Sequence, residues 1–134
     1  MSTTESERAV SDDLGHLRLP ADATSVGAAR RFVAEQLASL DDEQLDAVVL
    51  VTSELVSNVV CHDRGSIDVE IERIRDRVRV HVEVRPSASS PAAELTDRVP
   101  GLDAVVIDAV SAAWGARSTS TGTTDIWAEI RTNR

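Results

Sequence analysis

The run Val48-Val49-Leu50-Val51-Thr52-Ser53-Glu54-Leu55-Val56-Ser57-Asn58-Val59-Val60-Cys61-His62 constrains the fold of this chain more than any other stretch. Wound at ~100° per residue, Leu45, Val48, Val49, Thr52, Leu55, Val56, Val59 and Val60 fall on one arc of roughly 140°. The segment therefore predicts a helix with one side committed to a core. The opposite arc is not an ordinary wet face. Glu54 and Asn58, one turn apart and superimposed, sit among Ala47, Leu50, Val51 and Cys61 instead of Lys, Arg and Gln. A carboxylate and an amide framed by small apolar groups suit the wall of a pocket. The plainer alternative is a capped or solvated Glu beside an Asn bonded to its own backbone near the helix end. Both readings stay open on these residues alone.

Composition narrows the chemistry. A chain of 134 residues is long enough for one core and not two. Its formal charge of -9 and pI near 4.7 disfavour nucleic acid and anionic membranes as partners, because both are recognised through basic surface. All fourteen Lys and Arg positions are Arg. Without lysine there is no P-loop lysine, no kinase strand lysine and no Schiff base, so a phosphate must be held by backbone N–H groups, Arg or a metal. Cys61 alone cannot form an intrachain disulfide, and no apolar run has signal-peptide or membrane length. The expectation is a cytoplasmic protein.

Taken in order, residues 1–15 are polar and acidic and read as a disordered leader, with a single domain over 16–134. His16 to Leu19 alternates and stops at Pro20, as a short edge strand would, with His16 solvated on its outer side. Ser25 is placed to cap a helix carrying Val26, Ala29, Val33, Leu37 and Leu40. Asp41-Asp42-Glu43 sets negative charge at the start of the next helix, and Gly65 follows its end. Ile67, Val69 and Ile71 alternate with acids, and Val78, Val80, Val82 and Val84 alternate with Arg77, Arg79, His81 and Glu83. These make a hairpin whose outer faces bring acids and Arg together. Periodicity lapses from Pro86 to Pro100, in a Ser-, Ala- and Pro-rich stretch read as a mobile loop or lid. Helical spacing resumes through Leu102, Val105, Val106, Ala109, Val110, Ala113 and Trp114, with Gly115 as the stop. Ala116 to Ser120 and Thr124 to Arg131 close the chain as a second hairpin, with Ile126, Ala128 and Ile130 inward. Elements in this order predict a two-layer α/β sandwich, with a mixed, mostly antiparallel sheet and the helices on one face.

The stretch Glu54-Leu55-Val56-Ser57-Asn58-Val59-Val60-Cys61-His62 resembles the N-box helix of the histidine-kinase-like ATPases (GHKL superfamily), in particular the bacterial anti-sigma factor/serine kinase branch with its Glu-Leu-Val-x-Asn-x-x-x-His pattern. The similarity extends from about Leu17 to Ile130 and includes Ile107-Asp108-Ala109, Trp114-Gly115 and Ile126-Trp127-Ala128-Glu129-Ile130. The resemblance implies a Bergerat-type ATP-binding fold with ATP and Mg²⁺ as cofactors. It makes Glu54 the candidate general base and Asn58 the magnesium ligand. His62, Arg98 and Gly101 complete the expected nucleotide-contacting set. The partners it implies are a sigma factor, an anti-sigma-factor antagonist, or a second copy of the chain.

Against that pattern the sequence departs in three places. Pro86-Ser87-Ala88 stands where an adenine-reading Asp followed by Gly is expected. Gly101-Leu102-Asp103-Ala104 keeps only the first Gly of the motif that opens the helix after the lid, and Asp103 adds negative charge where phosphates approach. Thr123-Thr124-Asp125 replaces the usual last glycine motif. Loss of a charged hydrogen bond to the base costs roughly 1.5–3 kcal/mol, or about ten- to a hundredfold in affinity. Three functions follow as alternatives: a binding regulator with weakened or lost ATP handling, an ATP-Mg²⁺-dependent serine kinase acting on an antagonist protein, or a pseudo-ATPase scaffold. No Gly-x-Ser-x-Gly elbow supports a hydrolase.

Overall fold

The computed structural model describes residues 11–60, 65–85, 104–118 and 123–132. In chain order these are strand β1 (Ser11–Pro20), helices α1 (Thr24–Gln36) and α2 (Asp42–Val60), strands β2 (Ser66–Ile74) and β3 (Arg77–Arg85), helix α3 (Val105–Val110), and strands β4 (Ala113–Ser118) and β5 (Thr124–Arg131). The strands form one sheet in the order β1-β2-β3-β5-β4. Every described pair is antiparallel, so the sheet is less mixed than expected. The helices cover one face, giving the two-layer α/β sandwich.

Period-2 alternation decides the core. Ile67, Val69 and Ile71 of β2, Val78, Val80, Val82 and Val84 of β3, and Ile126, Ala128 and Ile130 of β5 are all buried. Against them lie Val48, Val51, Leu55, Val56 and Val59 of α2, with Ala29 and Val33 of α1 alongside. Each such side chain removed from water contributes about 1.5–3 kcal/mol. The buried arc of α2 is rotated from the one its spacing suggested. Val51, expected on the pocket wall, is fully buried, while Leu45, Val49 and Val60 are only half-buried. Helix α2 touches β3, β5, α1 and α3, and contact on several sides widens the face that must be apolar.

Other local expectations change for identifiable reasons. Strand β1 begins at Ser11, so residues 11–15 of the expected leader belong to the sheet, paired with β2 as far as Ile74. A bulge between Asp13 and Gly15 interrupts that register. Gly15 (φ 155°) lies where a Cβ would come 3.0 Å from Phe32 Cζ, which lets β1 and α1 close together. Ser25 does not cap α1. It is buried and its hydroxyl donates to the Pro20 carbonyl at 2.5 Å, while Asp22 accepts from the Thr24 N–H at 2.9 Å. At α2 the Asp41 carboxylate accepts the Gln44 N–H at 2.8 Å, as a helix cap should. The helix expected to run to Gly115 ends at Val110, and its buried side chain is Ile107, while Val105 and Ala109 of the expected stripe are exposed. Ser111 turns to an extended ψ of 145° and the Ala112 N–H donates to the Glu129 carbonyl at 2.8 Å. The sheet thereby captures Trp114 and Gly115 as part of β4. Gly115 is needed there for closeness, since a Cβ would stand 2.8 Å from the Trp127 ring.

The outer face of the sheet is a polar network. Glu129 accepts from Arg79 Nη2 at 2.6 Å and Arg77 Nη1 at 2.9 Å, and Arg79 also approaches Glu72 at 3.8 Å and lies 5.1 Å from the Trp127 ring centre. Asp68 gathers Arg18 (2.9 Å), His16 (3.1 Å) and Arg85 (3.3 Å), so His16 is engaged and not merely solvated. Burial pushes both carboxyls up. The hydrogen bonds from Arg79 and Arg77 to Glu129, and from Arg18 and His16 to Asp68, outweigh it and hold both below the ordinary carboxylate range.

A carboxylate whose folded pKa is depressed contributes stability that is fully present above its unfolded value. That contribution is lost as pH falls through the folded value. Urea unfolding should therefore show stability decreasing as pH drops below about 4. The Glu129→Gln variant should be less stable at neutral pH and should show a shallower loss in acid; an unchanged acid limb would mean that the Glu129 pairs carry none of it.

Candidate functional site

The position of the site follows from how α2 is pinned. The Gln44 side-chain amide donates to the Thr132 carbonyl at 2.5 Å, fixing the start of α2 beside the end of β5. The two elements run antiparallel. From Gln44 to Asn58 the helix climbs about 21 Å at 1.5 Å per residue, and from Thr132 to Thr124 the strand covers about 27 Å at 3.4 Å per residue. The last turns of α2 thus come level with the first residues of β5. Val84 pairs with Thr124 there, one residue before the end of β3 at Arg85. One end of the sandwich collects Glu54, Asn58, Thr124 and the point at which the chain leaves β3 toward Pro86.

Asn58 is buried, and its Nδ2 donates to the Glu54 main-chain carbonyl at 2.8 Å. This is the Asn-to-own-backbone bond that the plainer sequence reading expects, and it anchors the amide to the helix wall. Of the two polar side-chain atoms, the oxygen is the one with lone pairs for a cation. The Glu54 side chain is half-buried, and its carboxylate makes no hydrogen bond or ion pair with another described residue. Both expected site residues therefore share the end of α2, one tied down and one available. His62, Arg98 and Gly101 lie outside the described residues, as do Cys61, Pro86, Ala88 and Asp103 and the whole lid stretch from Pro86 to Pro100.

Thr124 is the residue whose promise the sequence hid. In sequence it stands between Thr123 and Asp125 in an altered glycine motif, yet Thr124 and Asp125 face opposite ways. Asp125 points to the outer face, 2.6 Å from His81 Nε2. Thr124 pairs with Val84 on the helix side, where its Oγ1 is buried with no hydrogen-bond partner among the described residues. Buried hydroxyls are normally satisfied, and Ser111 Oγ shares this status among the described residues; what distinguishes Thr124 is its place opposite Val84 at the end of β3. Strand parity was the signal that could have singled it out.

The donor set of amide, carboxylate and hydroxyl oxygens is hard, of the kind magnesium accepts. An apolar wall with a few convergent polar groups is the usual make-up of a nucleotide or small-ligand cleft. Among the described residues, the side-chain oxygens of Glu54, Asn58 and Thr124 are of the chemical kind such a ligand takes. A family model for the Histidine kinase-like ATPase domain matches residues 19–123, from the end of β1 to the residue before β5. The chain belongs to that family, whose domains bind ATP. Among curated proteins, none matches the chain closely enough to count as a relative.

If the Thr124 hydroxyl is held in reserve for a ligand, removing it should not harm the empty fold. Thr124→Val should unfold in urea with a stability equal to wild type or about 1 kcal/mol higher, since an unpartnered buried hydroxyl is replaced by an isosteric methyl. A loss of more than about 1 kcal/mol would mean that the hydroxyl is already satisfied.

Proposed function

We propose that this chain is a regulator that works by binding another protein: an anti-sigma-factor-like module of a bacterial partner-switching system, cytoplasmic, with its ATP handling weakened or lost. The observation that carries the reading is Asn58, whose amide is bonded to its own helix and so shapes the cleft wall without a nucleotide. The sequence where the chain leaves the sheet supports it. Pro86, directly after the last residue of β3, has neither a carboxylate for the adenine amino group nor an N–H. The partners are a sigma factor or its antagonist, with a second copy of the chain as a further one. A formal charge of -9 speeds encounter with a partner that presents basic surface.

A second reading, the ATP-Mg²⁺-dependent serine kinase, is favoured by one feature, the half-buried Glu54 carboxylate with no described partner. In that role Glu54 would take the proton from a partner's Ser hydroxyl and the Asn58 side chain would help hold the metal. Magnesium, when bound with ATP, supplies charge neutralisation between the phosphates.

Calorimetry with ATP and Mg²⁺ separates the readings. The expected dissociation constant is weaker than about 100 μM, given the lost base contact; a low-micromolar value would show that another group has taken over base recognition and would sink the regulator reading. Asn58→Ala should lower stability by about 1 kcal/mol, the net worth of one hydrogen bond, because the Glu54 carbonyl keeps its helical bond from the residue 58 N–H. Phosphorylation of the partner by wild type that disappears in Asn58→Ala, at unchanged melting temperature, would establish the kinase instead.

A further inference from the structure

The two edges of the sheet are built differently. Edge strands expose unpaired N–H and C=O groups, and proteins blunt them with proline, charge and bulges. Strand β1 has all three: Pro20, the exposed Asp13 and Arg18, and the bulge at Asp13/Gly15. Strand β4, at the opposite edge, pairs with β5 in regular register, contains no proline and carries Arg117 as its one charge. Among the described residues no element pairs with its outer side.

Both tryptophans of the chain flank this edge, one on each face. Trp114 lies on β4 opposite the buried Ala128, hence on the helix side, and its Nε1–H donates to Asp108 at 3.1 Å. Trp127 projects from β5 on the outer side and leans across Gly115, close enough that a Cβ there would meet its ring at 2.8 Å. Both indoles are half-buried. Beside Trp127, on the outer face of the sheet, lies a groove of about 400 Å³ lined also by Arg79, His81, Gly115, Ala116, Arg117 and Asp125, so it spans β3, β5 and β4 and reaches the β4 edge at Arg117. Tryptophan and arginine are enriched among the residues that carry protein-interface energy, and here they bracket a strand whose outer side no described element pairs.

We propose that the β4 edge is a docking site for an extended acidic segment of a partner protein, which adds to the sheet as a sixth strand beside β4. Main-chain hydrogen bonds would supply affinity and alternate side chains specificity. Toward the helix layer the segment meets Trp114 and Ala116, which favour an apolar residue. On the outer face it meets Gly115, Trp127 and Arg117, which favour an acid. The Arg117 side chain is 76% exposed, and its nearest carboxylate, Asp125 at 3.8 Å, is already approached by His81 at 2.6 Å. Local pairing outweighs the net charge of the chain, because at physiological ionic strength charges beyond about 8 Å are largely screened.

A second copy fits this edge less well. Two β4 strands paired antiparallel about Gly115 would set Arg117 of each against Ala113 of the other, which offers no complementary charge. Six residues also span only about 20 Å, too little to bury the roughly 1,200–2,000 Å² of a stable dimer. The proposal uses neither Glu54 nor Asn58, although Ser118 at the end of β4 pairs with Thr124; exchange along β4 and the effect of Arg117→Ala are read separately from ATP calorimetry, so failure here is distinguishable from failure of the regulator reading.

The probe is a synthetic eight-residue peptide of alternating valine and glutamate, titrated into the full chain and followed by tryptophan fluorescence and amide hydrogen exchange. Saturable binding with slowed exchange confined to β4 is expected. Arg117→Ala should weaken binding about tenfold, and a valine–lysine peptide should bind at least tenfold more weakly than the acidic one, each factor corresponding to about 1.4 kcal/mol. No slowing in β4, or equal binding of either peptide, or no effect of Arg117→Ala would overturn the proposal. Protection of β4 without peptide, rising with protein concentration as a dimer forms in sedimentation, would also overturn it, with a second copy as the occupant.

Discussion

Everything in this domain depends on the packing of α2 onto β3 and β5. Val48, Val51, Leu55, Val56 and Val59 are excluded from water by the Val and Ile side chains of those strands. A void the size of one leucine side chain in such a layer costs about 2–5 kcal/mol, a large part of the roughly 5–15 kcal/mol by which a domain is stable. The same contact positions the candidate site. Pinned at Gln44–Thr132 and antiparallel to β5, α2 brings Asn58 and Glu54 to the end of the sheet where Thr124 lies and β3 ends. The cleft is thus a by-product of core packing: two polar residues are presented by a helix whose other sides are held.

The outer face of the sheet answers a different need, and the absence of lysine explains its form. A guanidinium presents several N–H donors in a plane and stacks on aromatic rings. Arg79 uses this to give Glu129 two N–H groups, approach Glu72 and lie over Trp127 at once. A lysine ammonium could not serve all of these. Cations and anions on this face largely match each other, so the negative excess of the chain is carried elsewhere, including the exposed Glu35, Asp41, Asp42, Glu43 and Asp46 of the helical layer. A steering field for a basic partner and a local Arg117 contact can coexist because they occupy different surfaces.

Much was legible in the sequence wherever a short-range periodicity had one physical cause. The alternation of Val78, Val80, Val82 and Val84 meant a strand with one dry face. The i, i+3, i+4 spacing of Val48, Thr52, Leu55 and Val59 meant a helix with a dry stripe, and the acids beside the strand arginines meant cross-strand pairing. Glu54 and Asn58 stood out because polar groups among small apolar ones need a reason. Where the readings went astray, two causes produced the same local pattern. Val110, Ala113 and Trp114 keep helical spacing, yet Trp114 is apolar because β4 turns it back under α3. Ser25 has the chemistry of a cap, but the Pro20 carbonyl lies within its reach.

By itself the sequence determined the layers, the core residues of β2, β3 and β5 and the helix that carries Glu54 and Asn58, because each rests on side-chain periods of 2 and 3.6 that the backbone imposes locally. Tertiary structure alone decided the rotation that buried Val51, the exchange of helix for strand at Trp114 and Gly115, the burial of the Thr124 hydroxyl without a partner among the described residues, and the meeting of both tryptophans beside β4. Those depend on which strand lies beside which. Pairing between residues far apart in the chain, such as Val84 with Thr124 or Gly115 with Trp127, leaves no trace in local spacing.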